Sequence, residues 1–156
     1  MASGAVLALS TAGTAATLGL TLVSGPSPFA LCTKDAGTGT VYVNAEVEPY
    51  VAVNPKRNDN MIAVWQQDRW SNGGAHGMVA ASTSNGGASW SETALPFNSC
   101  AAGGLNFTRA SDPWVSIGPD GTAYVNALFF DGTDFRNGVA AATSTDGGRT
   151  WGNLVK

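Results

Sequence analysis

Short stretches of alternating apolar and polar residues, separated by turn-forming residues, run through the chain from residue 50 onwards. Alternation with period two is typical of strands with one buried face, and these stretches are rich in β-branched and aromatic residues. Turn sequences such as Pro119-Asp120-Gly121 lie between them. The pattern therefore predicts an all-β protein with strands at 50–54, 61–67, 77–82, 93–97, 114–118, 123–130 and 138–143.

This strand pattern occurs twice along the chain. Residues 48–55 align with 112–119 at an offset of 64, and residues 77–90 align with 138–151 at an offset of 61. Four antiparallel strands in about 60 residues is the pattern of one propeller blade. We therefore predict a first blade at 48–100 and a second at 101–156, the second ending before its fourth strand.

The first 33 residues carry no charge, and residues 4–23 consist of Ala, Leu, Val, Gly, Ser and Thr. Such a run is typical of a secretory signal or a membrane anchor, although it lacks the basic residue with which a signal normally begins. We expect an apolar leader at 1–25, a linker and lead-in at 26–47, and a secreted or cell-surface protein. The alternative is an N-terminal segment that is disordered or packs on the fold.

Composition excludes several classes of protein. The 8 Lys and Arg residues against 11 Asp and Glu give a net charge of −3, so the chain lacks the basic patch that nucleic acid requires. One His and two Cys cannot build a four-ligand zinc cluster. Scattered acidic residues do not provide the six to eight oxygen ligands that calcium needs. We predict no nucleic-acid partner, no metal and no cofactor.

Residues 144–151 match the Asp-box pattern S-x-D-x-G-x-T-W at every defined position, and residues 83–90 are a variant copy with Asn85 and Ser89 replacing Asp and Thr. We call these two segments the octets. A short carboxylate or amide can accept backbone N–H groups across a hairpin turn, and Gly supplies a positive φ. The Trp ring can cover the base of the hairpin. We predict a structural role for Thr83, Asn85, Gly87, Trp90, Ser144, Asp146, Gly148 and Trp151.

On these motifs the chain resembles the sialidase superfamily of Asp-box (BNR-repeat) β-propellers, over about residues 44–156. The resemblance implies a six-bladed propeller with the remaining blades after Lys156, and a glycosidase that hydrolyses a glycosidic bond. The family places an R-I-P motif at the start of a blade, where this chain has Glu48-Pro49 and Asp112-Pro113. An acid there repels a carboxylate substrate. The alternative is therefore a non-catalytic propeller that binds a glycan or a protein.

In a four-stranded blade, the start of the first strand and the loop between the second and third strands lie at the same end. Carboxylates and amides suit sugar hydroxyls, and a Trp ring suits the apolar face of a sugar. We expect carbohydrate to bind at this end, through Glu48, Arg69, Trp70, Arg109 and Asp112. Asp68 lies near the position of the family's acid/base loop and is the candidate acid/base. Alternatively, Asp68 and Arg69 hold the Gly-rich loop, in which we expect His76 to be solvated.

Cys32 and Cys100 occupy corresponding positions, each at the end of a Pro-Phe-x-x-Cys segment before a repeat. Neighbouring repeats bring such segments together. In an exported protein a disulfide is therefore expected between them, and it would tie the N-terminal segment to the first blade. The alternative is a pair of free buried thiols.

Overall fold

The computed structural model describes residues 19–34, 37–134 and 136–156. Most of the expected leader, residues 1–18, lies outside the described part of the chain. Residues 19–25 have no regular secondary structure. In the described ranges, no helix is long and apolar enough to cross a membrane.

The fold is all-β, as the alternating pattern predicts, and every strand pairing is antiparallel. The strands form two successive four-stranded units. The first unit contains β1 (Val41–Asn54), β2 (Arg57–Trp70), β3 (Ala75–Thr83) and β4 (Ser91–Leu95). The second unit contains β5 (Arg109–Ile117), β6 (Ala123–Phe130), β7 (Asn137–Ser144) and β8 (Gly152–Val155). One pair, Ala75 with Ala110, connects β3 to β5, so the eight strands form one continuous open sheet.

Three expectations differ from the structure. The expected propeller is not what the described residues form, since their sheet is open and no ring closes. The second unit does not lack its fourth strand, because β8 pairs with β7. Finally, β1 begins at Val41, inside the expected linker, because residues 41–49 pair with the end of β2 around irregularities in the register.

Side chains alternate between the two faces of each unit. We call the face of the first unit that packs against the second unit its forward face, and the opposite face its rear face; the equivalent faces of the second unit take the same names. The forward face of the first unit contains Ile62, Val64, Met78 and Ala80, and all four are fully buried. They form one cluster with residues from the opposite, rear face of the second unit, namely Val125, Ala127, Phe129, Ala140 and Ala142. The main core therefore lies between the forward face of one unit and the rear face of the next.

The N-terminal segment covers the rear face of the first unit. Phe29 is 2% exposed and packs with Trp65, Val79 and Ala81 of that face. A Cβ atom on Gly77 would lie only 2.4 Å from the Phe29 ring, so this position accepts no side chain without a shift of the ring. Cys32 and Cys100 are joined by a disulfide at the edge of this cluster.

Candidate functional site

Two acidic residues occupy equivalent irregular positions in the first strand of each unit. Glu48 has φ of 55° and Asp112 has φ of 52°, values that L residues adopt rarely. Both lie where the strand pairing shifts register, between Val47 and Tyr50 in β1 and between Ser111 and Trp114 in β5. Both side chains are exposed. Bulges of this kind redirect side chains and are frequent beside functional sites.

Two aromatic rings follow these acids and stack on each other across the unit boundary. The ring centroids of Tyr50 and Trp114 are 3.8 Å apart with an interplanar angle of 26°. Trp114 is nevertheless 52% exposed, although it lies in a strand whose neighbouring residues are buried. The stack brings β1 and β5 together, and each ring lies two residues after an exposed acid, Glu48 in β1 and Asp112 in β5. We call these four residues the aromatic ridge.

Sequence reasoning identified the two acids of the ridge but not its two aromatics. Tyr50 and Trp114 were assigned to strands in the repeat alignment. The available signal was that an aromatic residue recurs two positions after an acid in both repeats. Their stacking depends on how the two units pack, and no pattern within a single repeat predicts it.

Hydrogen bonds hold the carboxylate of Glu48 in place. Gln66, which is fully buried in β2, donates from Nε2 to Oε2 of Glu48. Arg69 donates from Nη1 to Oε1 of Gln66 at 3.2 Å and to the carbonyl of Gly74 at 2.9 Å. Arg69 therefore lies beside the ridge and supports both Glu48 and the β2–β3 loop. The position of the Glu48 carboxylate is set before any ligand arrives.

Trp70 and Arg109 lie at the end of the units where we expect carbohydrate to bind, but both side chains are buried. Trp70 is 3% exposed, so it does not offer an open platform for a sugar. Its ring is covered by the guanidinium of Arg109, 4.4 Å from the ring centroid. Arg109 also donates to Oδ1 of Asn72 and to the carbonyl of Gly73, both at 2.8 Å. Burial, followed by the nearby charge of Arg69, lowers the pKa of Arg109. Trp70 and Arg109 therefore support the β2–β3 loop from the interior of the molecule.

Asp68, the candidate acid/base, is fully buried at the end of β2. Its carboxylate accepts hydrogen bonds from Ser27 Oγ at 2.7 Å, from the Asn44 amide at 2.8 Å and from Gln67 Nε2 at 3.3 Å. His76 Nδ1 lies 3.6 Å away, and His76 is itself buried in β3, not solvated in the loop as expected. Burial alone raises the pKa of Asp68, but the interactions with His76, Ser27, Asn44 and Gln67 outweigh it and lower the pKa. A general acid requires the opposite shift.

The octets lie at the other end of the units and hold their own turns. In the second octet, Asp146 Oδ1 accepts from the amides of Arg149 and Thr150 at 3.0 Å, and Gly148 donates to Ser144 Oγ. The first octet makes the same pattern through Thr83, Asn85, Gly87 and Ser89. Trp90 and Trp151 each pack against a core cluster.

A polar cleft of about 480 Å³ lies between the two octets. Its charged groups are already engaged in contacts within the chain. Lys56 Nζ donates to the carbonyl of Asp120 at 3.0 Å, Arg57 pairs with Asp59, and Asp146 is held in its turn. We therefore assign this cleft to the packing of the units and not to ligand binding. Among the described residues, no group of three His, Cys, Asp or Glu side chains is placed to hold a metal ion.

Comparison with known proteins shows the fold alone. No family model matches the chain, and no curated protein matches it. The chain is similar to a solved structure from Dyadobacter fermentans DSM 18053, described as a protein of unknown function, with a TM-score of 0.52 and 16% identity. The match covers 78% of this chain and 40% of that one, so the chain spans two fifths of its structural neighbour.

These comparisons overturn the assignment to the sialidase superfamily. The structural match is to a protein without assigned function, and the described strands form an open sheet. The octet motif therefore identifies a type of hairpin turn and not membership of the family. A motif of eight residues is short enough to occur in unrelated hairpins that need the same hydrogen bonds.

Proposed function

We propose that the protein is an exported, non-catalytic module that binds neutral carbohydrate at the aromatic ridge. The observation that carries this proposal is the stacked pair of Tyr50 and Trp114, with half of Trp114 open to solvent and an exposed acid two residues before each ring in the chain. An exposed aromatic face packs against the C–H face of a sugar ring. Carboxylates accept bidentate hydrogen bonds from neighbouring sugar hydroxyls.

The charge of the ridge limits the class of ligand. Glu48 and Asp112 are both acidic and exposed, and Glu46 lies two residues before Glu48. The nearest cations, Arg69 and Arg109, are directed at loop carbonyls and amide oxygens. Sugars that carry carboxylate or sulfate groups would be repelled. Neutral oligosaccharides fit this surface better than acidic ones.

Hydrolysis is less well supported than binding. A glycosidase uses two carboxyl groups, one of which remains protonated at working pH. The buried Asp68 is held in its ionised form by several hydrogen-bond donors, and its pKa is lowered. Export is supported by the disulfide, because disulfides persist in oxidising compartments and are rare in the cytosol.

A glycan array probed with the full chain tests the proposal. Wild-type protein should bind neutral oligosaccharides, and Trp114→Ala should bind them about tenfold more weakly, since a central aromatic contact is lost. Tyr42→Ala is the matched control, because Tyr42 is 53% exposed, as Trp114 is 52% exposed, and pairs with Arg69 in the first unit, outside the ridge. Equal loss in both variants, or no binding by the wild type, would contradict the proposal.

A product assay separates binding from hydrolysis. Incubating the bound oligosaccharides with the wild-type chain should release no new reducing ends. Turnover that disappears in Asp68→Asn while binding persists would replace the binding proposal with an enzymatic one.

A further inference from the structure

The second unit exposes a sheet face whose counterpart in the first unit is buried. The ladders of the two units match residue for residue. Met61 pairs with Thr83 and Ala123 pairs with Ser144, and Thr83 and Ser144 are the first residues of their octets. The pair Gln66 and Met78 therefore corresponds to the pair Leu128 and Val139. Ile62 corresponds in the same way to Tyr124.

The burial of these equivalent residues differs sharply. Ile62, Gln66 and Met78 are each 0% exposed, because the rear face of the second unit covers them. Their counterparts Tyr124, Leu128 and Val139 are 48%, 41% and 54% exposed. Val155 on β8 is 63% exposed. The polar residues Asn126 and Thr143 belong to the same face. A group of large exposed apolar side chains on one face of a sheet marks an interaction surface.

Among the described residues, the rear face of the first unit is covered by the N-terminal segment and not by another unit. No preceding unit lies on it in the described part of the chain, and Phe29 of the N-terminal segment fills the place instead. Cys32 and Cys100 connect that segment to the loop after β4, while Ser27 is tied to Asp68. The segment resembles a terminal cap, which repeat proteins use to cover the end of a stack.

We propose that the molecule is a directional stack, capped at its rear face by residues 19–32 and open at the forward face of the second unit. The open face docks a further four-stranded unit of the same kind through an apolar rear face, such as Val125, Ala127, Ala140 and Ala142 form in the second unit and Trp65, Val79 and Ala81 form in the first. The occupant follows from the internal interface, because an equivalent forward face already binds the rear face of the second unit within this chain.

This proposal does not rest on carbohydrate binding, although Trp114 pairs with Asn126 and so lies on the same forward face as Tyr124 and Leu128. Tyr50 occupies in the first unit the place that Trp114 occupies in the second, and it is still partly exposed beside the second unit. A docked unit would therefore leave the edge of Trp114 accessible. Docking is measured by the oligomeric state and carbohydrate binding by the glycan array, so the failure of one proposal can be distinguished from the failure of the other.

Opening the cap tests the direction of stacking. The full chain with Phe29→Ala, Cys32→Ser and Cys100→Ser uncovers a rear face, onto which the forward face of another copy can dock. Sedimentation velocity should show the wild type as a monomer and this variant as a concentration-dependent series of oligomers. Adding Val139→Lys should abolish the series, whereas Thr133→Lys, at an exposed position in the β6–β7 loop outside both sheet faces, should not.

Three results would overturn the proposal. They are a folded cap variant that remains monomeric, oligomers that survive Val139→Lys, and a wild type that already pairs through Val139. The last would mean that the open face binds a second copy symmetrically.

A second measurement does not depend on the cap variant folding. The chain is extended after Lys156 by a second copy of residues 96–156, and both forms are exposed to hydroxyl radicals. Oxidation of Tyr124 and Leu128 should fall about fivefold in the extended chain, because a close-packed interface excludes solvent. Unchanged oxidation of both residues in the extended chain would contradict docking of a further unit.

Discussion

Asp68 shows how one buried carboxylate organises distant parts of this chain. Asp68 lies in β2 and accepts hydrogen bonds from Ser27 in the N-terminal segment and from Asn44 in β1. A buried charge is stable only when it is well hydrogen-bonded, and here the donors come from separate segments. The residue therefore connects the cap to the first unit.

Replacing Asp68 by Asn should lower the free energy of unfolding by roughly 2–4 kcal/mol, because two donors from other segments lose a charged acceptor. Since the folded-state pKa lies below the ordinary value of 3.8, the carboxylate stabilises the fold above that pH and ceases to do so as the pH falls through the folded-state pKa. Chemical denaturation at pH 7 and at pH 3 measures both effects. A difference between wild type and variant that does not shrink in acid would contradict the assignment.

The candidate site was predictable from sequence only in part, and individual residues show why. Glu48 and Asp112 were identified because they recur at one position of the repeat. Trp70 is expected to bind a sugar because a Trp ring suits the apolar face of a sugar, but in the structure the ring is buried. Its burial depends on Arg109, 39 residues further along the chain, and on a loop conformation that local patterns do not encode. The Tyr50–Trp114 stack likewise exists only after the units pack.

At the level of elements, the octets are the clearest case of local chemistry determining structure. Both turns place a side-chain oxygen where it accepts backbone amides, at Asn85 in the first and Asp146 in the second. Burial raises the pKa of Asp146, but hydrogen bonds from Thr150, Ser144 and Arg149 lower it to about 2. The charged form is therefore the one that the hairpin stabilises.

Asp146→Asn should lower the melting temperature at pH 7 and have little effect near pH 2. The reason is that the folded-state pKa of about 2 lies below the ordinary 3.8, so the contribution is present above pH 4 and lost as the pH falls towards 2. Asn85→Asp is the matched reverse change and should raise the melting temperature at pH 7, since it adds charge to equivalent hydrogen bonds. Differential scanning calorimetry at pH 7 and near pH 2 measures the melting temperatures of the wild type and both variants. A melting temperature that stays the same or falls in Asn85→Asp at pH 7 would show that the two turns are not equivalent.

Most of the strands were predictable from alternation, and the misses have separate causes. Val41, Val43, Ala45 and Val47 in the first half of β1 do alternate with polar positions, but the repeat alignment begins at residue 48 and leaves this stretch out of the first strand. The end of β2 at residues 68–70 lies beyond the predicted strand of 61–67, because a pattern based on hydrophobicity does not extend a strand into Asp68, a polar residue that is buried. The four residues of β8 are too short for any periodicity. At β8 and at the end of β2, pairing with a neighbouring strand, and not local preference, forms the element.

At the scale of the whole molecule, the repeat determines the architecture and leaves one edge and one face for interactions. Packing forward face against rear face buries the core and brings β1 and β5 side by side. The ridge is a product of this packing, because neither unit alone contains both acids and both rings. Carbohydrate binding is therefore a property of the paired units, and an isolated unit should not have it.

The most direct measurement of this account is an NMR titration of the tryptophan indole N–H signals with neutral oligosaccharides of β-1,4-linked glucose, N-acetylglucosamine and mannose. The Trp114 signal, assigned by its loss in Trp114→Phe, should shift saturably with at least one of these sugars. The signal of Trp90, in the first octet at the other end of the units, should remain unchanged. A titration in which no sugar shifts Trp114, or in which Trp90 shifts instead, would contradict the account.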